Sequence, residues 1–413
     1  MQIKYLQCAR CGRTYPREEV RYRCECGDSI ELIYDYSEIR GRISWDQLRS
    51  RPFDHWRYRE FYPHLDVWSI ISMGEGGTPL VRSRNIAREP GFGELFFKLE
   101  SLNPTGSFKD RGSTVEISQA YHYLCHHGEC ENEIVCASTG NMGASVAAYC
   151  ARGGIRCTIY VPNDTAKIKL LQMMAHGAEI VRVDGDYTVA MHTAKREYEE
   201  RGRYLAGDYP YRGEGEKSVG LEVIDQLNGV PDYIVCPIGN GTLVHGIWKG
   251  LKELKITGLL QRLPKIIGVQ AGGCNTVARS FEEGRDDITP VVPHTLMDAV
   301  ACGDPLDGTW ALRAIRESEG WATAVSDVEG ARARDLLGKK EGIFAELSGA
   351  LSMAGLIKAY QAEVIEKDAR VVALVTGHGL KEPETFEDEI RTIGELVNVR
   401  DSILPLANRP ESQ

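Results

Sequence analysis

A lysine at the start of an expected helix offers this chain its most distinctive chemistry. Lys109 stands in Ser101-Leu-Asn-Pro-Thr-Gly-Ser-Phe-Lys-Asp-Arg-Gly112, after a Pro-Thr-Gly-Ser turn and before a helical pattern over residues 112–123. The N-terminus of a helix carries a positive field that disfavours an ammonium, and burial lowers its basicity further. A neutral amine is the form that attacks a carbonyl to make a Schiff base. Taken alone, such a lysine reads more simply as a surface residue beside a turn. Two further segments suit anions. Ala137-Ser-Thr-Gly-Asn141-Met-Gly-Ala-Ser145 and Ile238-Gly-Asn-Gly-Thr242 each follow an apolar run and open a helical one. Backbone N–H groups at such turns hold negative groups, and glycine lets the backbone come close to a phosphate. In isolation the first is an ordinary helix cap and the second a weak signal. Lastly, Cys8, Cys11, Cys24 and Cys26 form a C-x2-C-x12-C-x-C pattern with a glycine after each pair. Two such knuckles bring four sulfurs onto one tetrahedral ion, as in a zinc ribbon. Zinc is the expected ion; an iron site or a metal-free ribbon of reduced thiols fits the same spacing. Four thiolates would leave no open position, so the role would be structural.

These residues need a scaffold of alternating strands and helices. The apolar, β-rich runs at 94–100, 134–137, 158–161, 180–183, 233–236, 266–270 and 371–375 read as strands, and 142–153 and 167–176 as helices. Short strands separated by helices predict parallel sheets wrapped on both faces. The stretch 45–64, rich in aromatics and charges, reads as a linker. The tail after Pro405 is polar and expected to be disordered.

The Lys109 run resembles the pyridoxal 5'-phosphate (PLP) lysine segment of the tryptophan-synthase β-like family, threonine synthases in particular. That resemblance implies fold type II: two open-sheet α/β domains with the cofactor between them, preceded here by a zinc-ribbon-like segment. The implied boundaries are 1–44 for the ribbon, 45–114 with 206–413 for a large PLP-binding domain, and 115–205 for a small one. It further implies that Lys109 carries the cofactor with Phe108 beside it, and that Asn141 contacts the cofactor's phenolic oxygen. Ser138, Thr139 and Gly140 would bind the substrate carboxylate, and Gly239, Asn240, Gly241 and Thr242 the cofactor phosphate. Thr376, in Thr376-Gly-His-Gly-Leu-Lys-Glu-Pro383, would face the pyridine nitrogen, where a hydroxyl favours elimination and replacement over transamination. Glu346, in Phe344-Ala-Glu-Leu-Ser, resembles a family glutamate that orients the cofactor or its surroundings. Arg212 would bind a substrate phosphate.

The implied reaction turns O-phospho-L-homoserine and water into L-threonine and phosphate. Two departures from the family bear on that substrate. Met142 stands where members usually have Thr, and Ala206-Gly207 where they tend to have Asn-Ser; Asp208 adds a negative charge nearby, and Lys217 is a cation available to compensate. A threonine synthase-like paralogue, acting by β-replacement or elimination on a serine, threonine or phosphoserine type of substrate, is the alternative. A different class is a catalytically inactive scaffold with the ribbon as an interaction module; the intact Lys109, Asn141, phosphate loop and Thr376 speak against it. His245 and His126-His127 receive no role, while His378 is a neighbour of Thr376.

Composition fits this reading. With 413 residues the chain can bury more than one core, and 42% hydrophobic with 26% charged residues is ordinary for a globular protein. A net charge of −10 argues against a nucleic-acid partner. No basic-then-apolar leader and no membrane-length apolar run stand out, so neither secretion nor a membrane partner is expected. Most of the eight cysteines outside the ribbon lie singly in apolar or helical stretches, which suits a reducing cytoplasm. The expected partner is a small amino-acid substrate, and the family resemblance implies a homodimer.

Overall fold

The computed structural model describes residues 1–19, 21–88, 93–127, 133–207 and 210–386. Asp208 and the tail after Pro405 lie outside the described residues. Met1–Lys381 forms one compact unit; of a second, Glu382–Gln413, the described part is a short turn of 3-10 helix, Pro383–Phe386.

Three sheets organise the first unit. The N-terminal one is small and antiparallel, built from β1 (Ile3–Cys8), β2 (Thr14–Tyr15) and β3 (Ile30–Tyr34) in the order β2-β1-β3. A six-stranded sheet contains β4 (Leu80–Arg82) and β5 (Glu94–Leu99), and a four-stranded sheet β6 (Glu133–Ala137), β7 (Arg156–Pro162), β8 (Glu179–Val183) and β9 (Tyr204–Ala206). The six-stranded sheet is completed by β10 (Tyr233–Pro237), β11 (Lys265–Ala271), β12 (Trp321–Val325) and β13 (Arg370–Val375). Its order is β12-β11-β10-β13-β5-β4, that of the smaller sheet β8-β7-β6-β9. Every pairing in these two sheets is parallel except β4 with β5. Parallel sheets throughout were expected. The three-residue β4 escapes that rule as an exposed edge strand, which needs no crossover helix.

Eleven α-helices occur among the described residues: α1 (Trp45–Arg49), α2 (Lys109–His127), α3 (Asn141–Gly153), α4 (Lys167–Ala175), α5 (Tyr187–Arg201), α6 (Pro210–Leu227), α7 (Thr242–Thr257), α8 (Thr276–Glu282), α9 (Gly308–Glu317), α10 (Asp327–Leu336) and α11 (Leu351–Gln361). Every residue of β6 and β10 is buried, as in parallel strands covered on both faces; the one charge among them, Glu133, accepts from the Thr158 hydroxyl at 2.6 Å and pairs with Arg203 at 3.2 Å. The stretch 45–64 is a packed element rather than a linker. His55, Tyr58, Phe61 and Tyr62 are fully buried, and His55 stacks on Tyr62 with ring centroids 4.5 Å apart. Its aromatics remove enough apolar surface from water to hold it down. Among the described residues no helix is long and apolar enough to cross a membrane.

Candidate active site

Strand order explains why distant motifs meet. β5, β13 and β10 are parallel neighbours, so their C-terminal ends face the same way. From β5 the chain leads through the Pro-Thr-Gly-Ser turn to Lys109, the first residue of α2; from β13 it leads to Thr376; from β10 it leads to Gly239–Thr242. Crevices beyond the carboxyl ends of parallel strands are where α/β sheets bind ligands. β6 of the other sheet delivers residues 138–141 in the same manner.

Hydrogen bonds hold these pieces in register. The Phe108 N–H donates to the Thr376 carbonyl at 3.0 Å, Ser107 bridges Gly377, and the His378 N–H donates to the Gly106 carbonyl at 2.9 Å. The lysine turn is thus laid along the end of β13. Asp110 ties it down from the helix side. Its carboxylate accepts from the Thr105 N–H at 2.7 Å, and from the hydroxyls of Thr105 and of Ser145 on α3, both at 2.6 Å. Burial pushes the Asp110 carboxyl up; those hydrogen bonds work the other way. The next residue, Arg111, is wholly buried between Glu100 (2.5 Å) and Glu222 of α6 (2.7 Å), and Lys98 pairs with Glu222 at 2.6 Å. Burial alone would raise the Glu222 pKa, but Arg111 and Lys98 together hold it far below the usual carboxylate range. Lys109 is half-buried, with Nζ 4.5 Å from the centre of the Phe108 ring.

Asn141 reaches across from α3. Its Nδ2 lies 3.1 and 3.0 Å from the two Glu346 carboxylate oxygens. Glu346 packs against Gly377 so closely that a Cβ there would stand 2.1 Å from Oε1. Burial pushes the Glu346 carboxyl up to about 7, and the Asn141 amide, Lys381 and Lys109 only partly offset it. At neutral pH this group can therefore hold or release a proton.

Other expected residues are placed as follows. Ser138 is buried, and its hydroxyl accepts from the N–H groups of Gly140 (3.3 Å) and Gly143 (2.9 Å), so it caps α3. Thr139 and Gly140 are half-buried at the same helix N-terminus. Among the described residues no side chain caps the N-terminus of α7. Gly241 there has φ +95°, and a Cβ on it would lie 2.7 Å from the Asp307 carbonyl oxygen. The Asn240 Oδ1 accepts from Cys302 Sγ at 3.0 Å, and the Thr242 hydroxyl donates to Asp307 at 2.7 Å. Gly239 lies against the turn at Ala299 and Val300, whose Ala299 N–H donates to Ser348, two residues from Glu346.

Arg212 is brought close to the lysine but turned inward. It is 1% exposed, paired with Glu116 at 3.1 Å, and its Nη2 donates to the Lys109 carbonyl at 2.9 Å. Lys217 is not available to a substrate. It is buried against Glu214 and Glu253, because α6 carries it to the face packed under the N-terminal sheet. Met142 and Gly207, read as two separate departures, meet: a Cβ on Gly207 would stand 3.4 Å from Met142 Cε. His245, given no role, stacks on Trp310 at 4.8 Å. The sequence alone gives Asp110, Arg111 and Asp307 no role. The first two carried a signal in charged residues inside a helix that must be buried, whereas Asp307 lies in no motif.

The residues fit PLP. An uncapped helix N-terminus behind two glycines suits a phosphate. Ser107 Oγ, buried beside Gly377, has no hydrogen-bond partner among the described residues and marks a polar position facing the same end of β13. The four cysteines fit a metal as well. Their sulfurs all lie within 4.8 Å of one another, with Cys8–Cys26 and Cys11–Cys24 at 3.5 Å. A tetrahedral thiolate site needs roughly 3.8 Å between sulfurs. The Cys11 N–H donates to Cys8 Sγ at 3.5 Å, and the Tyr15 hydroxyl lies 3.0 Å from Cys24 Sγ.

Comparison with known proteins agrees with this geometry. Residues 71–377 match the family model described as pyridoxal-phosphate dependent enzyme. The threonine synthase of Methanocaldococcus jannaschii is 44% identical over 383 residues, covering 92% of this chain and 93% of its own. That of Methanosarcina acetivorans is 38% identical over 93% of this chain and 94% of its own. Among solved structures, maize serine racemase shares the fold with a TM-score of 0.66 at 22% identity, over 84% of this chain and 97% of that one. The fold is thus the type II α/β fold, with one mixed and one parallel large sheet. On these grounds the chain belongs to the pyridoxal-phosphate dependent enzyme family, in its threonine synthase branch.

Proposed function

We propose that this protein converts O-phospho-L-homoserine and water into L-threonine and phosphate, with PLP held on Lys109. What supports the reading is that Lys109, Asn141, Thr376 and the 239–242 loop follow the C-terminal ends of β5, β6, β13 and β10, in a chain akin to threonine synthases along nearly its whole length. Bound PLP supplies an electron sink that eases loss of protons next to the amino-bearing carbon.

The chain's own groups do the rest. Lys109, with Phe108 beside it, gives and takes protons at Cα and the neighbouring carbons. Breaking the Cγ–O bond releases phosphate, and water adds its hydroxyl at Cβ. The N–H groups at Ser138, Thr139 and Gly140 receive the substrate carboxylate, and those of Gly239, Asn240, Gly241 and Thr242 the cofactor phosphate. Asn141 would steady the cofactor's ring oxygen, with Glu346 orienting its amide, and Thr376 would face the ring nitrogen, which a hydroxyl does not strongly protonate. Residues 115–205 act as the small domain around the four-stranded sheet, and 45–114 with 206–413 as the large one. The 1–44 ribbon holds zinc through Cys8, Cys11, Cys24 and Cys26, in a structural role. The enzyme works in the cytoplasm as a homodimer.

Two observations favour a second reading, a paralogue with another leaving group. Met142 lies beside Gly207, and Arg212 is already engaged by Glu116 and by the Lys109 carbonyl rather than free for a substrate phosphate. One assay separates the two readings. PLP-loaded protein given O-phospho-L-homoserine should release phosphate and form threonine in equal amounts. No turnover there, with a 2-oxo acid formed from serine or threonine, would replace the first reading by the second.

A further inference from the structure

The cysteine ribbon does more than fold on itself, because it grips the peptide that shapes the 239–242 loop. Arg23, immediately before Cys24, donates from Nη1 to the Leu306 carbonyl at 3.0 Å. Asp28, two residues after Cys26, pairs with Arg10 at 2.9 Å and accepts from the Thr309 hydroxyl at 3.2 Å. From α9, Arg313 donates back to the Ala9 carbonyl, between the first two cysteines, at 2.7 Å. Both knuckles are therefore fastened to the segment 306–313.

The opposite side of that segment builds the loop. The Leu306 N–H points to Asn240 Oδ1 at 3.4 Å, and the Asp307 N–H donates to the Asn240 carbonyl at 2.9 Å. The Asp307 carboxylate accepts from the Thr242 hydroxyl at 2.7 Å, while its carbonyl occupies the place where any side chain on Gly241 would go. One dipeptide, Leu306-Asp307, touches Asn240, Gly241 and Thr242 on one side and is held by the ribbon on the other.

We infer that the ribbon positions the cofactor-phosphate loop through Leu306-Asp307, so that an intact Cys8–Cys11–Cys24–Cys26 centre is a condition for tight cofactor binding. The inference rests on the reading of 239–242 as the PLP phosphate loop. Preorganised donors bind an anion without first being ordered, and each restraint lost must be made good on binding. Arg23 and Asp28 are positioning residues: their effect is carried by Leu306, Asp307 and Thr309, none of which is itself a ligand in this scheme.

The test uses the full-length protein and measures PLP affinity by absorbance titration, with metal content and exchange of the 239–242 amides followed in parallel. Arg23→Ala, and separately Thr309→Val, should weaken PLP binding roughly tenfold while metal content stays at the wild-type level. Amide exchange at 239–242 should quicken, and kcat at saturating PLP should stay near wild type. Arg17→Ala, at an exposed arginine of the same segment that pairs with Glu18 and reaches the Ile3 carbonyl, is the control and should change nothing. Wild-type protein stripped of metal by a chelator should show the same loss of affinity without any substitution. Unchanged affinity in Thr309→Val and in stripped wild type would overturn the inference, whether or not Arg23→Ala folds. A wild type that binds no PLP at all would instead overturn the site reading, and the inference with it.

Discussion

Glu346→Gln should make the cofactor-free protein more stable, by an amount that grows with pH. In the folded chain this carboxyl is pushed from its ordinary 4.5 up to about 7, chiefly by burial. Between those values the folded state keeps a proton that the unfolded state gives up. Stability must therefore fall as pH rises across that window, the reverse of the behaviour of a carboxylate held down by a salt bridge. A rise from 4.5 to about 7 amounts to about 3 kcal/mol once pH exceeds 7. Glutamine keeps the shape and can still accept from Asn141, but has no proton to lose. For a chain of 413 residues the unfolding entropy turns that energy into about 3 °C between pH 5 and pH 8. The assay is differential scanning calorimetry of both proteins without PLP at several pH values, comparing the difference in Tm. A difference that stays flat across this range would mean that Glu346 is ionised throughout, and the argument from its burial beside Gly377 would fail.

Three other outcomes are expected. Lys109→Ala should abolish both the visible absorption of bound PLP and turnover; turnover surviving in that variant removes Lys109 from the chemistry. Glu222→Ala leaves Arg111 and Lys98 buried without their shared partner and should cost about 3–5 kcal/mol in chemical denaturation, whereas a surface-like loss under 1 kcal/mol would contradict the buried network. Gly241→Ala forces a Cβ toward the Asp307 carbonyl at a positive φ, and should weaken PLP binding at least tenfold with about 1–3 kcal/mol lost in stability, as read by titration and melting.

What could be read beforehand was local. Lys109, the 137–145 and 238–242 segments and Thr376 announce themselves because each stands in a turn just after a strand, and in the first three that turn opens a helix; such units fold much alike wherever they occur. The helix after the turn begins at Lys109 rather than near Gly112, since Ser107 and Phe108 are pinned to Gly377 and Thr376. No local pattern carries that pairing. Longer-range partners stayed hidden for the same reason. Glu346 meets Asn141 across 205 positions, and Arg111 meets Glu222 across 111. Such pairs follow from strand order, which no single segment encodes. Lys217 shows the opposite error. Five residues beyond Arg212 it looked able to serve the same site, but in α6 it points instead into Glu214 and Glu253 beneath the N-terminal sheet.

The place of β13 has a consequence for how the molecule comes to exist. The last strand among the described residues lies in the middle of the six-stranded sheet, between β5 and β10. A growing chain that has not yet delivered residues 370–375 holds two half-sheets, each with an unpaired apolar edge where the other should be. Those edges are open to wrong pairings until residues 370–375 have been made. The same event that seals them also brings Thr376 and Gly377 against the lysine turn. The lysine turn therefore gains its contacts with Thr376 and Gly377 only once β13 is in place, and chains cut short before β13 should be lost to aggregation rather than persist as weak enzymes.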